Sequence, residues 1–365
     1  MGKPKFEALD ALRGVASISV LFWHCDIPHQ DRFWIAGLSV DLFFVLSGFV
    51  IAHAYEDRLK KGWPQSGFLV ARVIRLWPLY LVGTAIGAAG IAVWIGYFGL
   101  QSGPRYLLLC LGLSLFLLPQ MVRGYDTAFP LNGPAWSLFI EFVVNAVYAL
   151  GAFRLSTRSL VVVAGISWCL FVFLTLSPHP PFFTAAGILL VFPEGVVTFT
   201  TGVILWRCWT AGRLPRLAMN GAWLAVLLVS LLIAAAQIGN GGYAQLLAVS
   251  LFWPLLVMIG VSSHLSGSIG KLLKYSGRLS YPLYATHAGF YIFANMLYDE
   301  GVLPHWLAFG GAVVLALVFA NLADRYYDRP SSAWLTSRWK ALMGPGRSMR
   351  ETLPRPPVSS DVSRM

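Results

Sequence analysis

Two ionisable residues interrupt an apolar run near the N-terminus, LDALRGVASISVLFWH: Arg13 and His24. On an α-helix their eleven-residue separation is about three turns plus 20°, so both side chains share one face, roughly 16 Å apart along the axis. A charge held inside a run of membrane length is expensive and by default marks a functional position. Histidine suits proton abstraction or nucleophilic attack near neutral pH. Arginine presents a planar fork of donors that fits phosphate or carboxylate. Other apolar runs hold Asp41, Glu141, Glu194 and His287, and Arg72 and Arg75 lie three apart where the third run begins.

Each of these residues also has a plain structural reading. Arg13 could snorkel to the surface, and His24 could cap its helix beside Asp26. Arg72 and Arg75 could be interfacial anchors. Asp41 and Glu141 could be buried in structural pairs, and Glu194 follows Pro193 at a kink. His287 could pack in a polar cluster with Tyr281 and Tyr284.

The elements that must position these groups are membrane helices. The 365 residues are 57% hydrophobic and 12% charged, whereas soluble domains carry about 25% charged residues. The expected fold is all-α: a polytopic membrane protein with about ten transmembrane helices plus a short re-entrant or interfacial segment. The net charge of +11 does not point to nucleic acid, because the basic residues sit in short loops and a tail. Cys25, Cys110, Cys169 and Cys208 form no CxxC or Cys/His cluster, and His24 and His29 lack the i, i+4 spacing of a zinc pair. No metal site is expected. The N-terminus reads as uncleaved and cytoplasmic.

Charge placement sets the expected topology. Of the 27 lysines and arginines, 24 fall in the N-terminus, 56–75, 154–158, 207–216, 271–278 and 325–364. The positive-inside rule puts all six segments, and both termini, in the cytoplasm of a plasma-membrane protein. An even number of crossings must then separate 75 from 154, although three apolar runs lie between. The run 105–119 is the shortest and is expected not to span. On this topology His24, Asp41, Glu141 and Glu194 fall toward the outer half of the membrane. Arg13, Arg72, Arg75 and His287 fall toward the inner half. Residues 1–323 form the expected membrane domain, and 324–365 a basic cytoplasmic tail that becomes disordered toward PRPPVSSDVSRM.

Five blocks, in order, resemble the acyltransferase-3 family of integral membrane acyltransferases, which includes bacterial O-acetyltransferases of surface polysaccharides and lipopolysaccharide. They are LDALRGVASISVLFWH, GLSVDLFFVLSGFVI, FLVARVIRLWPLY, PAWSLFIEF and LSYPLYATHAGFY. The resemblance implies transfer of an acyl group, usually acetyl, from acyl-CoA to a hydroxyl of a glycan or its lipid-linked precursor. It implies His24 as the catalytic residue, acting as general base or carrying the acyl group. Arg13, Arg72 and Arg75 would hold the CoA phosphates or orient the donor. Glu141 or Asp41 would orient His24, and Glu194 and His287 are candidate substrate-binding positions. The expected partners are the lipid bilayer, acyl-CoA (acetyl-CoA in the simplest case) and the hydroxyl-bearing acceptor. Family members often carry a soluble esterase-like domain after the membrane part. The residues after 323 read instead as a tail, so any later step is expected of another protein. Two other functions fit intramembrane charge: a transporter or flippase for a polysaccharide precursor, and a structural component of an export complex.

Overall fold

A computed structural model describes residues 5–25, 34–98, 103–121, 127–177, 187–238 and 241–343. The loop 26–33 with His29, and the end of the tail from 344 onward, lie outside the described residues. The described part is mainly helical, joined by short non-helical stretches, and contains an isolated bridge between Asn220 and His264. In chain order the helices are α1 (Glu7–Cys25), α2 (Trp34–Lys60), α3 (Gln65–Phe98), α4 (Gly103–Leu115), α5 (Ala135–Leu150), α6 (Thr157–Leu176), α7 (Phe192–Thr210), α8 (Gly221–Ile238), α9 (Gly241–Leu247), α10 (Trp253–Ser262), α11 (Gly267–Asp299), α12 (His305–Ala323) and α13 (Arg329–Met343).

Among the described residues, seven helical stretches are long and apolar enough to cross a membrane. They are α2, α3, α6, α7, α8, the α9–α10 pair joined by a π-turn at Ala248–Phe252, and the stretch that begins with α12. The sequence also leads one to expect crossings at α1, α5 and α11. Polar residues dilute α1 and α11, and α5 is only 16 residues long. These three helices carry Arg13, His24, Glu141 and His287. Four of the residues that could do chemistry therefore sit on helices that length and apolar character alone would not mark as crossings.

The layering follows from side-chain character. α2 carries apolar residues on every face and lies at the centre, with Ile35, Leu38, Leu42, Phe44, Val45 and Phe49 buried. A helix with apolar residues on every face packs inside, and the polar residues α2 also holds, such as Ser39 and Asp41, are buried with it. α6 lies at the perimeter, where Val161, Val162, Ile166 and Phe173 are exposed to what would be lipid.

Two features set the depth of the functional residues. The first is the contact of α1 with α11. A Cβ on Gly14 would collide with Ser276, and one on Gly277 would collide with the Asp10 carbonyl. The two backbones therefore touch, as small residues allow in membrane bundles. The second is the connection from α3 to α5. α4 has 13 residues, about 20 Å of helix. At its end the Ser114 carbonyl accepts from the Tyr80 hydroxyl (2.9 Å) and the Leu115 carbonyl from Trp77 Nε1 (2.9 Å). The chain then returns through a non-helical stretch in which Ala128, Phe129, Leu131 and Asn132 are buried. Asn132 Nδ2 donates to the Ala285 carbonyl at 3.0 Å. Irregular backbone is tolerated at membrane depth when protein encloses it in this way. As a result α5 begins inside the bundle rather than at its surface.

The boundary expected at 323/324 falls within a continuous helical run. α12 passes through a π-turn at Asp324–Asp328 directly into α13, and both aspartates are buried.

Candidate active site

His24 occupies the last turn of α1 and is half-buried. Its Nδ1 lies 2.8 Å from the Val20 carbonyl. A carbonyl only accepts, so Nδ1 carries the proton and Nε2 is the basic nitrogen. A backbone carbonyl one turn back thus fixes the tautomer, a role that a carboxylate fills in a catalytic triad.

His287 stands against this ring, with centroids 5.1 Å apart and planes at 67°. Tyr291, one helical turn farther on, is 6.4 Å from His24. His287 is buried, and its Nδ1 lies 3.0 and 3.1 Å from the Tyr284 and Leu283 carbonyls. It therefore takes the same tautomer as His24, and its Nε2 is buried without a hydrogen-bond partner. This corrects the depth expected for His287, which had been grouped with the arginines of the inner half. α11 begins at Gly267 rather than near 281, so His287 lies 20 residues into its helix. α1 and α11 run parallel, and ten residues beyond the Gly14–Gly277 contact each helix places a histidine.

Glu141 is also displaced from its expected depth. Its Oε1 accepts from Arg72 Nη2 at 2.7 Å and from the Ser47 hydroxyl at 2.9 Å. It belongs with the arginines and not with His24, because α5 starts inside the bundle and Glu141 lies six residues farther toward the basic end. Asp41 is engaged elsewhere. It accepts from Gln245 Nε2 at 3.2 Å and shares a hydrogen bond with Glu194. Two carboxyls joined by a hydrogen bond hold at least one proton between them. Among the described residues, neither Glu141 nor Asp41 touches His24, and Glu194 partners Asp41 on the side of α2 that faces α7.

Arg13, Arg72, Ser47, Glu141, Ser137 and Tyr284 line a cavity of about 80 Å³. The Ser137 and Tyr284 hydroxyls are 2.5 Å apart. Arg72 is committed to Glu141, whereas Arg13 has no hydrogen bond or ion pair among the described residues. The two guanidiniums that line the cavity face one lining carboxylate, with Asp10 near Arg13 behind it, an arrangement that suits an anion or a polarised carbonyl. The Tyr284 and His287 rings lie 5.9 Å apart, so Tyr284 stands between this cavity and the histidine pair. Arg75, expected beside Arg72, points instead to the π-turn before α13: its Nη1 meets Asp328 Oδ2 at 3.0 Å, and its guanidinium lies over Tyr281 at 4.8 Å.

Ser47 and Ser137 were not singled out from sequence, since a lone serine in an apolar run carries no signal of its own. Ser47 lies six residues after Asp41 and projects from a different face of α2. Helical periodicity measured from the cavity side would have separated the two.

A family model described as an acyltransferase domain (acyltransferase-3) matches residues 6–324. Over 278 residues the chain is 28% identical to the exopolysaccharide production protein ExoZ of Rhizobium meliloti, covering 73% of this chain and 80% of that protein. It is 38% identical over 173 residues to protein 2 in the picA locus of Rhizobium radiobacter, covering 45% of this chain and 91% of that one. A Staphylococcus aureus protein named as an O-acetyltransferase is 23% identical over 364 residues, covering 88% of this chain, which spans 56% of that protein's length. No solved structure matches.

Proposed function

The chain belongs to the acyltransferase-3 family of membrane acyltransferases, and from that premise we propose that it moves an acyl group, acetyl in the simplest case, from acyl-CoA to a hydroxyl of a surface glycan or its lipid-linked precursor. Family membership favours the enzyme over the transporter and structural readings. The observation that carries the residue assignment is the 2.8 Å contact of His24 Nδ1 with the Val20 carbonyl, which assigns the proton to Nδ1 and the basic lone pair to Nε2, beside His287. His24 Nε2 takes the proton of the acceptor hydroxyl as its oxygen attacks the thioester carbonyl carbon. The carbon–sulfur bond breaks, and the CoA thiolate leaves and is reprotonated.

The donor side of the reading rests on Arg13 and Arg72. A cavity of about 80 Å³ has room for several waters but not for a nucleotide. It suits the acyl thioester and the thin arm behind it, with Arg13 polarising the carbonyl or steadying the arm. The phosphates then belong at the basic end of the bundle, which the charge rule assigns to the cytoplasm. The roughly 16 Å between Arg13 and His24 is spanned by the pantetheine arm running beside Tyr284. His287 orients His24 or the acceptor. Asp41 and Glu194 form a structural pair on the opposite side of α2. The acceptor class is suggested by the name of the exopolysaccharide production relative.

The test is chemical analysis of the surface glycan from a strain lacking this protein. Loss of ester-linked acetyl, restored by the intact gene, supports the reading. Unchanged glycan acylation would refute a glycan acceptor.

A further inference from the structure

The buried aspartates of the π-turn play no part in the chemistry above. Asp324 and Asp328 are 3% and 4% exposed. Asp324 Oδ2 meets Arg278 Nε at 3.1 Å and Arg329 Nη2 at 2.7 Å. Asp328 Oδ2 meets Arg75 Nη1 at 3.0 Å, while its Oδ1 is buried without a partner. Among the described residues Arg75 makes the direct ion pair with the Asp328 carboxylate, and Arg329 adds a second positive charge nearby. The two acids draw in three arginines from three elements: Arg75 on α3, Arg278 on α11 and Arg329 on α13.

The cluster borders the cavity. Arg75 lies over the Tyr281 ring, Tyr281 lines the cavity, and the Tyr281 hydroxyl donates to the Leu76 carbonyl next to Arg75. The three guanidiniums are each more than a third exposed, whereas the carboxylates beneath them are almost fully covered. Arginine has five N–H donors. Arg75 gives one of its donors to Asp328 and Arg278 pairs with Asp324, so most of their donors are uncommitted among the described residues. Three cations over two buried anions leave a net positive rim whose geometry is set from below. The π-turn contributes to this geometry, since one extra residue in the turn rotates everything after it by about 100° relative to α12.

We propose that Asp328 is a positioning residue for the donor: it aims Arg75 at the rim of the cavity, where Arg75 and Arg278 receive the phosphates of acyl-CoA. This rests on the acyl-CoA reading above. It gives the C-terminal helix a role that composition hid, because DRYYDRP reads as the start of a polar tail. Asp328 does not touch the donor and acts through Arg75.

The test is equilibrium binding of CoA and of pantetheine, which lacks the nucleotide and its phosphates, to the full-length protein in lipid nanodiscs. The Asp328→Asn variant should bind CoA about tenfold more weakly, equivalent to about 1.4 kcal/mol, and pantetheine as the unchanged protein does. Equal weakening of both ligands, or of neither, overturns the proposal. A variant that fails to accumulate is covered by the exchange of Arg75→Asp with Asp328→Arg, which keeps the pair but moves the cation. It should accumulate normally and still bind CoA weakly; full recovery of CoA binding would mean that the pair only holds α13 in place. Absence of CoA binding by the unchanged protein would refute the donor reading itself, whereas CoA binding indifferent to Asp328 would refute only this proposal.

Discussion

His24 and His287 stand ring against ring, 5.1 Å apart, because each lies ten residues beyond the same backbone contact between two parallel helices. Both rings give Nδ1 to carbonyls of their own helix, so both present Nε2 as the basic atom. The pair depends on how closely α1 approaches α11.

Enlarging Gly277 should separate the helices. A Cβ at this position collides with the Asp10 carbonyl, and backbone cannot move aside as a flexible side chain can. Gly277→Val should lower stability by about 1–3 kcal/mol, the usual range for overpacking, and should abolish acyl transfer through misalignment of His287 with His24. The checks are the apparent melting temperature in detergent and acyl-transfer activity. Wild-type values for both would mean that the approach of α1 to α11 does not govern the site.

Arg72 and Glu141 should behave as one unit. Their side chains are 13% and 20% exposed and meet at 2.7 Å, enclosed enough for the pair to count for more than a surface ion pair. A double-mutant cycle with Arg72→Ala and Glu141→Ala, read as unfolding free energy, should return a coupling of about 1–3 kcal/mol. Strict additivity would mean that the two groups do not interact. Glu141→Gln keeps an oxygen for the Ser47 hydroxyl but removes the charge, and should weaken donor binding less than Arg72→Ala does.

α4 should not cross the membrane. With 13 residues and an end tied to α3 by Trp77 and Tyr80, it is too short to reach the basic end. A single cysteine placed at Arg105 should react with a membrane-impermeant thiol reagent added from outside intact cells, while one at Arg154 should not. Protection of the Arg105 position together with labelling at Arg154 would overturn this topology.

The Arg13–His24 spacing and the helical class were legible in the sequence because apolar runs of membrane length leave one solution for the backbone, and an eleven-residue separation sets a common face whatever the packing. Depth was less legible. Hydropathy marks where a helix is apolar and not where it begins, so the polar start of α11, GSIGKLLKYSGR, hid the length that carries His287 to His24. It also cannot distinguish a buried loop from a surface one. The stretch before α5 packs through Asn132 against α11, and this lowers Glu141 to the level of Arg72. Asp328 escaped notice because a buried acid in a basic, proline-bearing segment looks like any solvated one. Only the contact with Arg75, 253 positions earlier in the chain, distinguishes it.

We propose that His24 performs the acyl transfer at a site whose donor-binding end lies elsewhere along the same helix. The most direct measurement is acyl transfer from labelled acetyl-CoA to the isolated glycan fraction by membrane vesicles carrying His24→Ala, with CoA binding measured on the same preparation. The expected result is a loss of transfer of at least about 10²-fold, the scale of a general base, with CoA binding within about twofold of the unchanged protein. Transfer at the wild-type rate by His24→Ala would contradict the account.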